Sequence, residues 1–169
     1  MQFPNKEVRI GFSDYLLRMF YNFGVGANQR TRLYKSIYFA IAENKPEDLK
    51  LAFISFFANI PVDWYRKNDI NKFEGFYASM FYAFFAALGF DIIPEDFTNK
   101  GKIDLTVSTD TGIFIFEFKM KTNQKNALEQ IKANKYHEKY LNQNKEIYLI
   151  GIEFNENKKN ISMFECEKL

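Results

Sequence analysis

The sequence predicts an α/β domain with a helical front, on three observations. Apolar residues recur at three- and four-residue spacing through position 88 and switch to a spacing of two from Phe90, the periods of a packed helix and a half-buried strand respectively. Gly89 and Pro94 punctuate the switch, one suited to ending a helix and the other to a strand edge or end. Helical spacing then returns once, over residues 126–141, between strand-like runs.

Residues 6–23 and 29–43 carry helical spacing and are separated by Gly24-Val25-Gly26, which predicts two helices packed as an antiparallel pair. Pro46-Glu47-Asp48 opens a third helix over 49–59 with its acids at the positive end, and Pro61 stops it. A fourth helix over about 70–88 is nearly all apolar and aromatic after Glu74, as expected for a helix buried on most sides. Strands follow over 90–94, 103–108 and 113–120, the last two joined by the tight return Thr109-Asp110-Thr111-Gly112. After the helix over 126–141 come strands over 146–154 and 161–165 with a polar turn between them. Pro94 makes the first strand the outer one. A composition shift near 64–69 divides the chain into an N-terminal helical subdomain, 1–68, and an α/β core, 69–169.

Composition narrows the function classes. Of 169 residues, 47% are hydrophobic and 18% aromatic, with twenty Phe and ten Tyr. That is enough apolar area to offset chain entropy and to exclude disorder of the whole chain. A formal net charge of +2 is small for a strongly basic binder of polyanions, so nucleic-acid binding would need a local patch. One Cys and one His exclude an internal disulfide framework and a Cys/His zinc cluster. There is no Gly-rich phosphate loop ending in Lys-Ser/Thr, hence no ATP site. The apolar runs are too short for a bilayer span and the N-terminus does not read as a leader, which predicts a cytoplasmic protein without a membrane partner.

The chemistry concentrates in Lys102-Ile103-Asp104 and Phe114-Ile115-Phe116-Glu117-Phe118-Lys119, which put two carboxylates and an amine at the ends of adjacent strands. Glu117 and Lys119 are two apart and share a face, and Asp104 meets Glu117 across the hairpin. Two carboxylates at one point repel unless a cation sits between them, and Mg2+ or Mn2+ prefers oxygen ligands while keeping bound water. Asp104 and Glu117 are therefore candidate metal ligands, with the Phe118 carbonyl a further one. Lys119 is placed to orient or deprotonate an attacking water and to stabilise charge as a phosphodiester is cleaved. The bland alternative is a solvated ion pair worth about 0–1 kcal/mol. Against it stands a strand otherwise made of Phe, Ile and Met, where charges are costly unless used or paired. Lys121, Lys125, Lys132, Lys135 and Lys139 gather nearby, and helical spacing sets Lys132, Lys135 and Lys139 on one side as a stripe for a phosphate backbone. Glu129 and Glu138 interleave, as they would on an ordinary solvated face.

Gly101-Lys102-Ile103-Asp104, then Phe114-Ile115-Phe116-Glu117-Phe118-Lys119, then a helix reading Ala127-Leu128-Glu129-Gln130-Ile131 through Tyr136, resemble the PD-(D/E)XK nuclease superfamily. More narrowly, they are similar to the nuclease-like domain at the C-terminus of bacterial proteins that begin with an AAA-ATPase-like domain. The resemblance runs from about residue 70 to the end. It implies a restriction-endonuclease-like core of helix, three strands, helix and two strands, with a mixed sheet flanked by helices. It also implies hydrolysis of DNA in preference to RNA with Mg2+ or Mn2+, and an AAA-ATPase-like domain in the same full-length polypeptide. By it, Asp104 and Glu117 match the acidic ligands and Lys119 the lysine. Gln130 and Tyr136 match polar positions beside the site, Gln130 joining the catalytic group and Tyr136 joining Lys121, Lys132 and Lys135 toward nucleic acid. Glu74 matches an acid on the first core helix and joins the metal set. Ile103 stands where the motif has proline, a position that varies. The opening Phe3-Pro4-Asn5-Lys6-Glu7-Val8-Arg9 resembles the connector after the ATPase-like part, which predicts a fragment of a longer protein. The second reading is a catalytically silent module that binds nucleic acid or a partner protein and answers to that ATPase-like domain. Its motivation is the Tyr- and Phe-rich front helices, which offer an interdomain surface.

Overall fold

Among the described residues, the helices that lead into the sheet are α1 (Lys6–Tyr21), α2 (Ala27–Ala42), α3 (Leu49–Ala58) after a 3-10 turn at Pro46–Asp48, and α4 (Glu74–Ala87). The computed structural model describes residues 5–21, 27–63, 65, 72–121 and 126–169, so the expected boundary at 68/69 lies outside the described residues, as does Lys125. Asn5 starts α1, its side-chain oxygen accepting the Val8 N–H at 2.9 Å. The strands are β1 (Asp91–Thr98), β2 (Gly101–Ser108), β3 (Gly112–Met120), β4 (Glu146–Asn155) and β5 (Asn160–Lys168). Between β3 and β4 run α5 (Ala127–Asn134) and a 3-10 stretch, Tyr136–Gln143.

The sheet order is β1-β2-β3-β4-β5. β1, β2 and β3 form an antiparallel meander, β4 lies parallel to β3, and β5 returns antiparallel to β4. A parallel neighbour demands a crossover, and α5 with the 3-10 stretch supplies it. β1 is the edge, and Pro94 sits within it, where its missing N–H costs the ladder least.

Alternation along β3 builds two cores. Phe114, Phe116 and Phe118 enter the larger one, with Leu105, Val107, Ile150, Ile152 and Phe154. α4 lies over this face: Tyr77, Met80, Phe81, Phe84 and Phe85 are all buried, and Phe81 meets Phe118 with ring centroids 5.1 Å apart while Phe85 meets Phe116 at 5.4 Å. Each fully buried phenylalanine contributes roughly 1.5–3 kcal/mol relative to exposure. The same core runs on through Leu17, Ile37 and Phe53, so the front helices and the sheet are packed together. On the other face Ile103, Ile113, Ile115, Ile147 and Leu149 pack against Ile131, Tyr136 and Tyr140 in a smaller core.

Three expectations change. Among the described residues α1 packs chiefly on α4 rather than pairing with α2, which it meets through a Tyr34 hydroxyl donated to Asp14 at 3.0 Å. α4 is apolar on nearly all sides, so the face it turns from the sheet needs a cover. The helix expected over 126–141 breaks at Lys135, whose φ is 49°. Tyr136 follows Ile131 by five residues, roughly 140° around a continuous helix, so both reach the second core only if the helix stops and the chain tightens. Strict alternation in β2 also fails, because Ile103 packs in the smaller core while Leu105 and Val107 pack in the larger. Among the described residues no helix is long and apolar enough to cross a membrane.

Gly151 on β4 lets α5 approach: a Cβ there would lie 2.4 Å from the Leu128 nitrogen and 2.9 Å from its Cα. Backbone on both sides leaves no flexible atom to give way. Gly151→Ala is expected to destabilise the chain by about 1–3 kcal/mol in urea unfolding. Gly11→Ala in α1, where a Cβ meets nothing within 4 Å, is expected to stabilise it by roughly 0.5–1 kcal/mol. Equal midpoints for the two variants would remove this packing contact as a constraint on α5.

Candidate functional site

Pairing between β2 and β3 runs from Ser108↔Ile113 to Leu105↔Phe116 and stops, while β3 stays paired with β4 as far as Met120↔Phe154. The end of β3 therefore has a neighbour on one side only. On its open side the Phe118 N–H donates to Asp104 Oδ2 at 2.8 Å, and the Met120 N–H donates to the Glu74 carboxylate. The N–H and C=O of one strand residue point to the same side, so the Phe118 carbonyl turns toward this opening as well.

Asp104 reaches β3 because the sheet is irregular around it. The pairs Pro94↔Leu105 and Asp96↔Ile103 flank a position where Glu95 and Asp104 are not bonded to each other, and Glu95 has a left-handed φ of 50°. Holding a non-glycine residue there costs about 1–3 kcal/mol. The irregularity shifts the alternation by one residue, so Ile103 turns to the smaller core while Asp104 bonds toward β3.

Glu117 faces α5. A capping box starts that helix, the Asn126 side chain accepting the Glu129 N–H at 2.7 Å while Glu129 accepts the Asn126 N–H, and it holds Gln130 in the first turns. Gln130 Nε2 donates to Glu117 Oε1. The other oxygen, Oε2, is buried with no hydrogen-bond partner, in a residue 3% exposed. Lys119 follows on the same face, half-buried. Tyr136 is buried in the smaller core, its hydroxyl accepting Asn134 Nδ2 at 2.9 Å and resting against Gly101, where a Cβ would sit 3.0 Å from it.

These groups act on one another electrostatically. Burial pushes the Glu117 carboxyl up to about 8, with the Asp104 charge adding to the rise and Lys119 opposing it. Burial also raises Asp104, against the Phe118 N–H and Lys102. Glu74 is raised by burial and then by Asp104, against Met120 N–H and Lys119. A cleft of about 390 Å3 opens at the sheet end, lined by Glu74, Tyr82, Glu95, Lys102, Asp104 and Phe118. Among the described residues no three His, Cys, Asp or Glu side chains by themselves form a set that could hold a metal. The donors present fit Mg2+ all the same, since that ion is held by one or two carboxylates and completes its shell with water or phosphate oxygens, and the orphan Glu117 oxygen is a donor left unsatisfied by protein.

Asp104, Phe118 and Glu74 thus meet at the cleft, and Glu117, Lys119 and Gln130 stand on the α5 side of β3. The lysines are spread out. The expected stripe on one helix does not form, because Lys135 is the left-handed residue between the two helical pieces. Lys132 pairs with Glu167, Lys135 lies 3.9 Å from Glu138, and Lys139 pairs with buried Asp96, while Lys121 is exposed. Two charged residues of the cleft had no role in the sequence reading: Lys102, and Glu95, which accepts from its amine at 2.7 Å. Lys102 lies two residues before Asp104, but its partner Glu95 is brought to it only by the folding of β1 alongside β2.

Residues 72–164 match the PD-(D/E)XK nuclease superfamily. The whole chain is also similar to a protein of Azotobacter chroococcum mcd 1 described as an uncharacterized protein in the vnfD 5'region, at 37% identity over 171 residues, 100% of this chain and 33% of that protein. The chain therefore spans about a third of the length of the curated relative it matches. No solved structure matches it. With the match covering more than half of the chain, over an α/β core with a five-stranded mixed sheet, this protein belongs to the PD-(D/E)XK nuclease superfamily.

Proposed function

We propose that the chain is a metal-dependent nuclease domain that hydrolyses phosphodiester bonds, of DNA in preference to RNA. The observation that carries this reading is the buried, unpartnered Glu117 oxygen, in a carboxyl raised by burial and then by the Asp104 charge, while burial raises Asp104 and Glu74 as well. Asp104, Glu117 and the Phe118 carbonyl would hold Mg2+ or Mn2+, with Glu74 joining at the cleft wall. Bound there, the ion lowers the pKa of a coordinated water and polarises the scissile phosphate. Gln130 fixes the Glu117 carboxylate through the Oε1 hydrogen bond. Lys119 directs its ammonium along the same face and offsets negative charge as the phosphorane-like transition state forms. Lys121, and Lys132 and Lys135 once released from their acidic partners, meet the nucleic-acid backbone, while Tyr136 contributes its hydroxyl rather than an exposed ring. The relative's greater length supports a larger polypeptide around this domain, and we assign an AAA-ATPase-like domain to it and a cytoplasmic setting to the whole.

Supercoiled plasmid DNA and a matched RNA transcript incubated with the chain test the reading. Cleavage is expected with Mg2+ or Mn2+ and none with EDTA, faster on DNA. Glu117→Ala is expected to bring it to background, as is Glu117→Gln, which keeps the side-chain shape. Full activity in a folded Glu117→Gln variant would remove the site assignment. A wild type that binds DNA and takes up no divalent metal in isothermal titration would favour the silent module instead, a reading supported by Val8, Phe12 and Tyr15, which α1 turns outward at 45%, 42% and 61% exposure.

Proton linkage gives a second test. The Glu117 carboxyl lies at about 8 against an ordinary 4.5, so in metal-free protein the folded chain keeps a proton that the unfolded chain has released. The stability this group contributes is fully present below its ordinary value and is lost as pH rises through the raised one. Urea unfolding in EDTA is expected to show that decline across the window, with Glu117→Gln flattening it. Because an ionised carboxylate is the ligand, Mg2+ uptake below the raised value releases protons, read as heats of titration that depend on the buffer. Identical pH slopes for wild type and Glu117→Gln would exclude Glu117 as the titrating group.

A further inference from the structure

Glu153 on β4 is a charged residue that the proposed chemistry leaves without a role. It is 8% exposed, and the parallel register sets it beside Lys119. The two side chains share a face. Ile147 and Leu149 pack into the smaller core, Gly151 lies against Leu128 of α5, and Glu153 continues that row, as Lys119 continues the row of Ile113, Ile115 and Glu117. Residues in register on adjacent strands stand about 5 Å apart, within reach of a carboxylate and a lysine. β5 yields opposite this point: pairing passes from Glu153↔Met163 to Phe154↔Ile161 and skips Ser162, whose hydroxyl donates to the Glu153 carbonyl at 3.2 Å. A bulge of this kind bends a strand end and re-aims its side chains. A buried carboxylate is costly unless paired. On this face Lys132 is engaged by Glu167, and Lys119 is the cation that the register brings alongside.

We propose that Glu153 is a positioning residue for Lys119, its carboxylate flanking the ammonium from β4 while Glu117 flanks it along β3. A lysine on four rotatable bonds loses much rotamer freedom when it must act at one point, and a fixed neighbour settles that cost during folding. The inference rests on Lys119 as the charge-stabilising or water-activating group of a nuclease, and it is tested so that the two ideas fail separately. Cleavage of supercoiled plasmid with Mg2+ is compared for wild type, Glu153→Gln, Glu153→Asp, Lys119→Met and the Glu153→Gln/Lys119→Met pair. Urea midpoints are measured on the same five proteins without metal. Glu153→Gln is expected to lower kcat about 10- to 100-fold with KM within about twofold, Glu153→Asp to recover most of the loss, and Glu153→Gln to cost nothing further when Lys119 is already Met. The urea midpoints are expected to be non-additive in the same sense. Additive effects in both readouts, or an unchanged kcat in Glu153→Gln, would overturn the proposal. A wild type without cleavage would overturn the nuclease reading while the urea cycle still decides whether the pair is coupled. Should Glu153→Gln fail to fold, the exchanged pair Glu153→Lys/Lys119→Glu replaces it, with midpoint recovery over either single exchange supporting the coupling and no recovery rejecting it.

Discussion

β3 outlasts its partner β2, and much of the site follows from that mismatch. Backbone N–H groups at the end of a buried strand must find acceptors, and once the ladder stops at Leu105↔Phe116 no backbone carbonyl of β2 is paired with Phe118 or Met120. Asp104 and Glu74 supply carboxylates instead. The same two bonds that satisfy the strand draw acids from β2 and α4 to one place, with Glu117 on the α5 side of the same strand. Partly buried acids at one place favour protonation or a cation. A structural debt at the strand end and a capacity for hard cations thus arise from one geometry.

The two cores make that geometry stiff. Phenylalanines on one face of β3 pack under α4, and isoleucines on the other pack against α5 and the 3-10 stretch, so neither face can relax by tilting the strand. Glu117 occupies the place in the isoleucine row where the next apolar residue would fall. Its burial is offset by Gln130 at one oxygen only. The 3-10 stretch is itself held by a buried knot in which Asp96 accepts from Thr106, Tyr140 and Lys139. Fully paired networks of this kind fix one arrangement of their backbone, and here the arrangement fixed is the wall behind α5.

The order of elements, the β2–β3 hairpin and the edge position of β1 were legible in the sequence, because each follows from local period and turn chemistry, whereas Asp104, expected opposite Glu117, lies beyond the last ladder pair and takes the Phe118 N–H instead. What was not legible depended on tertiary demand. Ala133-Asn134-Lys135-Tyr136 carries neither glycine nor proline, and Asn134 alone is a weak stop signal. The break comes from burying Ile131 and Tyr136 together. Glu95 carries no mark of its left-handed backbone either, and without it the face change at Ile103 could not be foreseen. The choice of α4 over α2 as the partner of α1 reflects how much apolar surface α4 leaves uncovered, a quantity the period of a single helix does not give.

Charge at the cleft constrains how a polyanion approaches. Glu74, Glu95 and Asp104 stand in its wall against Lys102, and Lys102 already faces Glu95 at 2.7 Å. Exposed pairs such as this contribute about 0–1 kcal/mol and exchange readily with solvent, so Lys102 is available to another anion at little expense. The remaining wall repels one. Lys132, Lys135 and Lys139 do little to relieve this, each being set against an acid of its own. On the proposed function, a phosphodiester therefore finds favourable potential at this opening only when the carboxylates are already neutralised, which makes the order of arrival, cation and then nucleic acid, a consequence of where the acids sit.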